Sequence, residues 1–164
     1  MKIIIRIVLL AALTALSIWL WTVLFPSPET VIRKRLTELA RTVSSSANES
    51  ELTRLAAARS VAGFFAANVE LNVDLPELGQ RTMDREEITQ VALMARSRAG
   101  GVQVKFPDIN ITVAPDKQSA VADLTVETNV SGERDSVVQE MKFTLRKTDG
   151  QWLITRVETV RTLT

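Results

Sequence analysis

The feature that most constrains this chain is an uncharged apolar run near its amino terminus. Residues 7–25, IVLLAALTALSIWLWTVLF, hold nineteen residues without a charged side chain. At helical rise a segment of that length covers roughly 28 Å, close to the ~30 Å hydrocarbon core of a bilayer. Pro26 and Pro28 follow and interrupt a helix. The run therefore predicts a transmembrane anchor, residues 1–25, that holds the rest of the chain at a membrane.

A cleaved signal peptide is the alternative interpretation of the run, because LTALS offers small residues for a cleavage site. Cleavage there leaves an apolar new terminus, since the run continues to Phe25, and we therefore expect an uncleaved single-pass anchor. Lys2 and Arg6 precede the run, a layout typical of a cytoplasmic amino terminus and an extracytoplasmic domain, which is periplasmic in a Gram-negative cell. Residues 33–35 are also basic, so the tally of lysine and arginine alone does not decide the orientation.

Residues 26–164 are enough for one domain and too few for two comfortable ones. Lys2 and Arg6 account for two of the 20 basic residues, which leaves 18 basic against 19 acidic residues in this domain. Without a basic stripe, we expect no nucleic-acid partner. The chain contains no cysteine, which excludes lipoprotein attachment through a thiol and leaves the redox compartment open.

Two helices are predicted in the first third of the domain. Apolar residues at steps of three and four predict the first helix from Glu29 onward. A serine-rich break follows, in which Asn48 or Ser50 is placed to cap a second helix that ends at Gly63. The expected buried stripe of the second helix consists of Leu52, Leu55, Ala58 and Ala62.

A third helix, over residues 83–101, carries the clearest start and stop signals. Asp84 and Glu87 have the spacing of a capping box, and two glycines end the segment. Arg96 suits the negative end of the helix.

The remaining segments alternate between apolar and polar residues, as half-buried strands do. One such strand is expected around residues 69–75, followed by a loop. Four longer runs, at residues 102–113, 120–130, 137–147 and 152–162, are joined by short turns and predict an antiparallel meander with one buried face. Helices followed by such a meander indicate the α+β class.

This succession of elements resembles the nuclear transport factor 2-like superfamily, which includes SnoaL-like and cystatin-like proteins. The most recognisable segment is LRKTDGQWLI, residues 145–154, supported by MDREEI at residues 83–88. The resemblance implies a cone in which about three helices pack on a curved antiparallel sheet. It implies no single function, because the superfamily contains isomerases, dehydratases, epoxide hydrolases, lipid carriers and interaction domains.

One enzymatic hypothesis concerns the last strand. Epoxide hydrolases of this superfamily use an Asp-Arg-Asp cluster inside the cone, and Arg156 and Glu158 share the parity of Trp152, which aims them at the interior. Asp123 joins them only if its own strand is inverted. The alternative is a β-bulge after Ile154 that turns Arg156 and Glu158 toward solvent.

The residue inventory weighs against the other enzymatic hypothesis, an isomerase-like or dehydratase-like activity. The chain has no histidine and no tyrosine, so the side chains that such relatives use as donors are missing. No dinucleotide, phosphate-loop or metal motif is present, and we expect neither a cofactor nor a bound metal.

A second hypothesis is a binding module for a small apolar ligand or a lipid. The candidate ligand-binding residues are Phe64, Phe65, Leu93 and Met94, which fall outside or between the predicted apolar stripes, and Trp152 of the last strand. The alternative is that these side chains fill the core, as such residues commonly do.

The preferred hypothesis is a non-catalytic interaction domain, anchored in the bilayer through residues 7–25. It is expected to assemble with itself or with other envelope proteins, in the layout of the periplasm-facing components of secretion systems. The expected contact surface is the outer face of the sheet or an edge strand, because an edge presents unpaired N–H and C=O groups.

Overall fold

The computed structural model describes residues 11–17, 19–20, 26–74, 79–98, 100–132 and 135–160. From residue 26 onward these residues form three helices and six strands. They are α1 (Pro28–Val43), α2 (Glu51–Ala62), β1 (Phe65–Asn72), β2 (Gln80–Asp84), α3 (Arg85–Arg98), β3 (Val102–Val113), β4 (Ser119–Val130), β5 (Val137–Thr148) and β6 (Gln151–Thr159).

The predicted anchor is described only in part. Residues 11–17 and 19–20 are helical, and their large apolar side chains, among them Leu13, Leu16 and Trp19, are exposed. Residues 7–10, 18 and 21–25 of the predicted anchor lie outside the described residues, as does the predicted end of the last strand at residues 161–162. In the part of the chain that the structure describes, no helix is long and apolar enough to cross a bilayer.

A capping side chain lies at the amino-terminal end of each of the three helices of the domain. The Ser27 hydroxyl accepts a hydrogen bond from the N–H of Thr30 in α1, and the Ser50 hydroxyl accepts one from the N–H of Thr53 in α2. At α3 the capping box is complete, because the Asp84 carboxylate accepts the N–H of Glu87 at 2.8 Å and the Glu87 carboxylate accepts the N–H of Asp84 at 3.0 Å. These groups satisfy donors that the first turn of a helix leaves unpaired.

The six strands form one curved sheet in the order β2-β1-β6-β5-β4-β3. β3 to β6 make the predicted antiparallel meander. The prediction of a wholly antiparallel sheet is wrong, because β1 runs parallel to β6. Parallel neighbours need a long crossover, and here the connection contains β2, α3 and the rest of the meander.

Two boundaries around β1 also differ from the prediction. β1 begins at Phe65 rather than near Val69. Its first residues do not alternate between apolar and polar side chains, so the sequence does not indicate that they form a strand. The sequence predicts a loop at residues 80–82 and the third helix from Met83, whereas the structure has the strand β2, QRTMD, over these residues and begins α3 at Arg85. Only Met83 of β2 is buried, so the short edge strand carries almost no period-two signal.

The helices cover one face of the sheet and bury the apolar residues of alternate strand positions. α1 packs along β3, while α2 packs on α3, which in turn contacts β1 and β2. Leu52 is 81% exposed, so the predicted stripe of α2 is wrong at its first position. The larger buried side chains of the core are Ile32, Leu36, Val69, Met83, Leu145, Trp152 and Ile154.

Arg96 of α3 forms an ion pair with Glu49, in the segment between α1 and α2, and also hydrogen-bonds the end of α1. The guanidinium of Arg96 donates to Glu49 at 2.9 Å and to the carbonyl oxygens of Thr42 and Val43 at 2.8 and 3.1 Å. The side chains of Arg96 and Glu49 are only 7% and 14% exposed. The sequence predicts only that Arg96 interacts with the negative end of its own helix. In the structure its partners lie about fifty residues earlier in the chain.

Gly101 closes the same corner of the domain. Its φ is +118°, and a Cβ placed on it would lie 2.7 Å from the hydroxyl oxygen of Ser131 and 3.2 Å from the backbone nitrogen of Ala47. Only glycine combines this backbone angle with so close an approach.

Candidate functional site

The outer face of the sheet, opposite the helices, carries charged and polar side chains in rows that cross the strands. One row crosses all six strands, with one residue from each. In sheet order this first outer row is Gln80, Asn72, Glu158, Lys142, Asp123 and Asn110. Lys142 lies between two carboxylates, and its ammonium nitrogen is 3.8 Å from Asp123.

A second outer row lies one pleat away from the first. In sheet order it consists of Thr82, Glu70, Arg156, Thr144, Val121 and Thr112. Arg156 and Glu70 form an ion pair across the parallel strands β6 and β1, with the Arg156 Nε donating to Glu70 at 2.8 Å. Their side chains remain 48% and 60% exposed, so the pair is solvated and contributes little to stability.

A β-bulge decides the orientation of the last strand. Thr144 pairs with Arg156 and Leu145 pairs with Ile154, so Thr155 is the extra residue on β6. Val157 returns to the core face and is buried, while Arg156 and Glu158 point outward. The bulge interpretation of this strand is therefore confirmed, and the interpretation that aims the two charges into the cone is wrong.

The structure separates the three residues considered for catalysis. Arg156 and Glu158 line one shallow depression of about 370 Å³ on the outer face, together with Glu70 and Arg81. Asp123 lines another, of about 220 Å³, beside Glu140. Both depressions lie on the outer face, and Asp123 is two strands away from Glu158. An Asp-Arg-Asp cluster enclosed by the cone is thus not formed by these residues.

The interior of the cone is apolar wherever the structure describes it. The buried residues of the core cluster are all hydrophobic, and the little-exposed side chains of Arg96 and Glu49 are not part of it. Phe106 and Phe143 meet edge to face at 6.3 Å between ring centres, and the half-buried Phe106 packs against the core in this way. General acid and base groups of the kind that enzymes enclose are not among these interior side chains.

The residues considered for apolar ligand binding do not share one environment. Trp152 is buried in the core, whereas Met94 is 49% exposed on α3. Phe64 and Phe65 are half-buried against the core, and the guanidinium of Arg35 lies 5.0 Å above the ring of Phe64. Leu93 is half-buried as well.

Arg35 of α1 is partly buried against the end of α2. Partial burial lowers the pKa of its guanidinium, and the nearby carboxylate of Glu38 opposes that shift. Arg35 donates to the carbonyl oxygen of Gly63 at 2.9 Å, which ties α1 to the end of α2. In this arrangement a cation stacks on an aromatic ring, and the contacts of Arg35 hold two helices together.

Solved structures with the same arrangement of elements were found in bacteria and yeast. An NTF2-like protein of unknown function from Pseudomonas putida KT2440 is 13% identical, with a TM-score of 0.64 over 83% of this chain and 87% of its own. A putative scytalone dehydratase from Novosphingobium aromaticivorans DSM 12444 is 17% identical, with a TM-score of 0.59 over 82% of this chain and 84% of its own. The chain has the nuclear transport factor 2-like fold.

One similar solved structure belongs to a protein that is named for its association with another protein. The yeast UBP3-associated protein BRE5 is 15% identical, with a TM-score of 0.58 over 84% of this chain and all of its own. Neither a protein-family model nor a curated protein matches the sequence. Identities this low establish the fold alone, and the function has to be argued from the surface of this cone.

Two charged residues of the outer rows, Glu70 and Lys142, are not candidates in the sequence analysis. Glu70 and Lys142 hold Arg156 and Asp123 in ion pairs. The alternation of their strands already predicts that they face away from the core. The missing signal was the register, since the pairing of β1 with β6 joins residues 86 positions apart.

Proposed function

We propose that this chain is a membrane-anchored, extracytoplasmic and non-catalytic interaction domain of an envelope protein complex. In this proposal residues 7–25 span the bilayer and the outer face of the cone binds a protein, either a second copy of the chain or another envelope protein. The observation that carries the proposal is the pair of outer rows, which cross six strands with exposed charges of both signs and polar side chains between them.

The composition of the outer face supports a protein partner. Interfaces between proteins that also exist apart are about as polar as the rest of the surface and contain charges at the rim. The outer rows supply these charges in a fixed order, which favours specificity over affinity. At the start of β5, Val137 and Val138 add adjacent apolar side chains that are 61% and 59% exposed.

The amino-terminal segment supports the anchor. Leu13, Leu16, Trp19 and Leu20 are large apolar side chains that lie exposed on a helical segment, and a bilayer is the environment that removes such surface from water. Pro26 and Ser27 are the only residues between the apolar run and α1. So short a connection keeps the cone next to the membrane surface and limits the partners that it meets to those at the same membrane.

The interaction surface is tested by site-specific photocrosslinking in native membranes. A benzophenone amino acid replaces Lys142 or Thr112 on the outer face, and Gln90, exposed on α3, serves as the matched control position. We expect light-dependent adducts of defined mass from positions 142 and 112 and none from position 90. An adduct of twice the chain mass identifies self-association, and any other discrete mass identifies a different partner. Monomer alone at all three positions would refute the proposal.

A charge reversal sharpens the same test. Lys142→Glu places a third carboxylate between Asp123 and Glu158. The charges of this row are then no longer complementary to those of a partner that binds the original surface. We expect this variant to lose the adduct formed from position 112. Lys34→Glu, an equal change of charge on the exposed side of α1, is expected to retain it.

The anchor and its orientation are tested separately. The chain contains no cysteine, so a single cysteine introduced at Lys2 or Asp149 reports the accessibility of that position alone. We expect a membrane-impermeant maleimide to label the variant Asp149→Cys in intact spheroplasts and to label Lys2→Cys only after lysis. Release of the chain from membranes by alkaline carbonate would contradict the anchor, and the reverse labelling pattern would contradict the orientation.

A further inference from the structure

The second half of β3 forms an open edge of the sheet. β3 is the last strand in the sheet order, so β4 is its neighbour on one side and no strand lies on the other. Just after β3, the N–H of Ala114 donates to the carbonyl oxygen of Ser119 at 2.9 Å. Antiparallel hydrogen bonds join alternate residues, so beyond the bulge the odd-numbered residues of β3 direct their N–H and C=O groups away from β4. We call residues 109–113 the open edge.

One described side chain reaches the outward groups of the open edge. The guanidinium of Arg33 in α1 donates to the carbonyl oxygen of Ile109 at 2.9 Å, and that oxygen keeps a second lone pair. No other hydrogen bond from the described residues reaches the outward groups of Ile109, Ile111 and Val113. The open edge therefore offers unpaired N–H and C=O groups, and the binding partner that satisfies such a row is another strand.

The other edge segments of the sheet are protected against pairing with another chain. β2 has only five residues, and Arg81 and Asp84 are charged. In the first half of β3, Val102 exchanges two backbone hydrogen bonds with Ser45, at 2.7 and 3.0 Å, and Pro107 follows at the bulge. Short strands, charges, prolines and bulges are the devices that keep natural sheet edges apart. The open edge, INITV, has none of these devices.

The open edge is complementary to a second copy of itself. When two copies run antiparallel with Ile111 opposite Ile111, Ile109 of each copy lies opposite Val113 of the other. These apolar side chains are on the face covered by the helices, where Ile109 is buried and the other two are half-buried. On the outer face, Asn110 lies opposite Thr112. Apolar residues thus meet apolar residues, polar residues meet polar residues, and no like charges are opposed.

The direction of α1 places its amino-terminal half beside the open edge. At the end of α1, the Ser44 hydroxyl accepts from the N–H of Val104 at 3.0 Å. Arg33 lies earlier in α1 but bonds Ile109, which lies later in β3. The helix therefore runs antiparallel to β3.

Charges of α1 favour the same pairing. Glu29 lies one turn before Arg33 and therefore near the other end of the open edge. A backbone hydrogen bond, the Ser27 hydroxyl and the charge of Lys117, just beyond β3, lower the pKa of Glu29. A twofold axis through Ile111 brings Arg33 of each copy to the level of Glu29 of the other, so opposite charges face each other across the contact.

We propose that the open edge pairs antiparallel with the open edge of a second copy, so that two six-stranded sheets join into one. Directly opposed residues point to the same face, so the α1 helices of both copies lie on one face of the joined sheet. The starts of both helices are then on that face, as attachment to one membrane requires. The inference deepens the proposed function, because it names a second copy as partner, and it rests on the proposed anchor, which raises the effective concentration of that copy. It does not use the charges of the outer rows.

The register of this pairing is tested by disulfide formation in native membranes. The chain has no cysteine, so Asn110→Cys and Thr112→Cys, on two differently tagged copies expressed together, report this contact alone. Opposed residues 110 and 112 are a non-hydrogen-bonded pair with Cα atoms about 4.5 Å apart, within reach of a disulfide. Two cysteines at the same position lie on a diagonal of about 7–8 Å, which is too long. We therefore expect about fivefold more mixed disulfide than same-position disulfide.

A proline tests the backbone hydrogen bonds of the pairing. Val113→Pro removes an N–H that points away from β4, a position at which a sheet edge tolerates proline, so we expect the domain to fold. Val113→Ala is the matched control, because it also shortens the side chain but keeps the N–H. We expect Val113→Pro to lower the yield of mixed disulfide about tenfold and Val113→Ala to lower it less than about twofold. Circular dichroism measures the folding of both variants.

Three results would overturn the edge pairing. They are a mixed yield no higher than the same-position yields, equal effects of proline and alanine at Val113, and an equal disulfide yield from copies that carry Gln90→Cys, an exposed position on α3. The outer face is tested separately by the photoadducts from Lys142, which lies two strands away on β5. Those adducts without the mixed disulfide would leave the proposed function standing and refute the edge pairing. The mixed disulfide without those adducts would support the edge and refute the outer face.

Discussion

Replacement of Arg96 by methionine should destabilise the domain more than any other exchange of a single charged side chain described above. The guanidinium of Arg96 makes two kinds of contact, with the carboxylate of Glu49 and with the carbonyl oxygens of Thr42 and Val43 at the end of α1. Methionine keeps much of the length and apolar contact of the side chain but donates no hydrogen bond. Glu49 is then left as a poorly hydrated charge without a cation.

The size of the effect follows from the burial of the pair. Removing one partner of a buried ion pair costs about 3–5 kcal/mol. The lower end applies here, because Glu49 is 14% exposed and still accepts the N–H of Ser46 at 3.1 Å. We therefore expect a loss of about 3 kcal/mol for Arg96→Met. The double variant with Glu49→Met should lose only about 1–2 kcal/mol, because the unpaired charge is gone and the two carbonyl groups alone lose their donors.

The measurement is thermal unfolding of the full-length chain in mild detergent, followed by circular dichroism. For a domain of this size, 3 kcal/mol corresponds to a decrease in Tm of roughly 10 °C. Arg81→Met is the matched control, because Arg81 and Glu87 form an ion pair of similar length, 3.1 Å, with side chains 39% and 45% exposed. We expect the control to lower Tm by no more than about 2 °C.

Equal shifts of Tm for Arg96→Met and Arg81→Met would refute the reasoning from burial. A double variant with Glu49→Met that is no more stable than Arg96→Met alone would refute the assignment of the loss to an unpaired carboxylate.

Three further outcomes are expected under the same conditions. Gly101→Ala should cost about 2 kcal/mol, since it combines a positive φ with a close approach, whereas Gly100→Ala, with open space around it, should be near neutral in the same melts. Ser50→Ala should cost about 1 kcal/mol through loss of the α2 cap, which chemical denaturation measures. A backbone hydrogen bond and the Ser27 hydroxyl lower the pKa of Glu29, so its carboxylate stabilises the fold at neutral pH, and the stability difference from Glu29→Gln should vanish as pH falls below 4.5 through that lowered pKa.

Local signals in the sequence predicted the helices well. The capping box of Asp84 and Glu87 and the cap at Ser50 depend on residues three apart, and both form as expected. Leu52 shows the limit of such signals. Its helix has several small apolar residues, and the side that is buried is chosen by packing against α3, which leaves Leu52 outside.

The sheet and the candidate surfaces depend on register, which the sequence does not contain. Alternation predicts that Asp123 and Lys142 face outward, but not that they are neighbours. A bulge at Thr155 reverses the side on which Arg156 and Glu158 lie, and a second shift of register lies in β3 between Lys105 and Asp108. A single extra residue in a strand changes the face of every residue after it, so parity arguments fail beyond such a position.

The parallel pairing of β1 with β6 determines when this cone can be completed. Glu70 and its partner Arg156 are 86 residues apart, so β1 leaves the ribosome long before the strand that must lie beside it. Until then β1 has only β2 as a neighbour, and an isolated two-stranded hairpin is at best marginally stable in water. The meander can form in order of synthesis, but the sheet closes only when β6 is inserted between its two halves, so folding of the whole domain follows its synthesis.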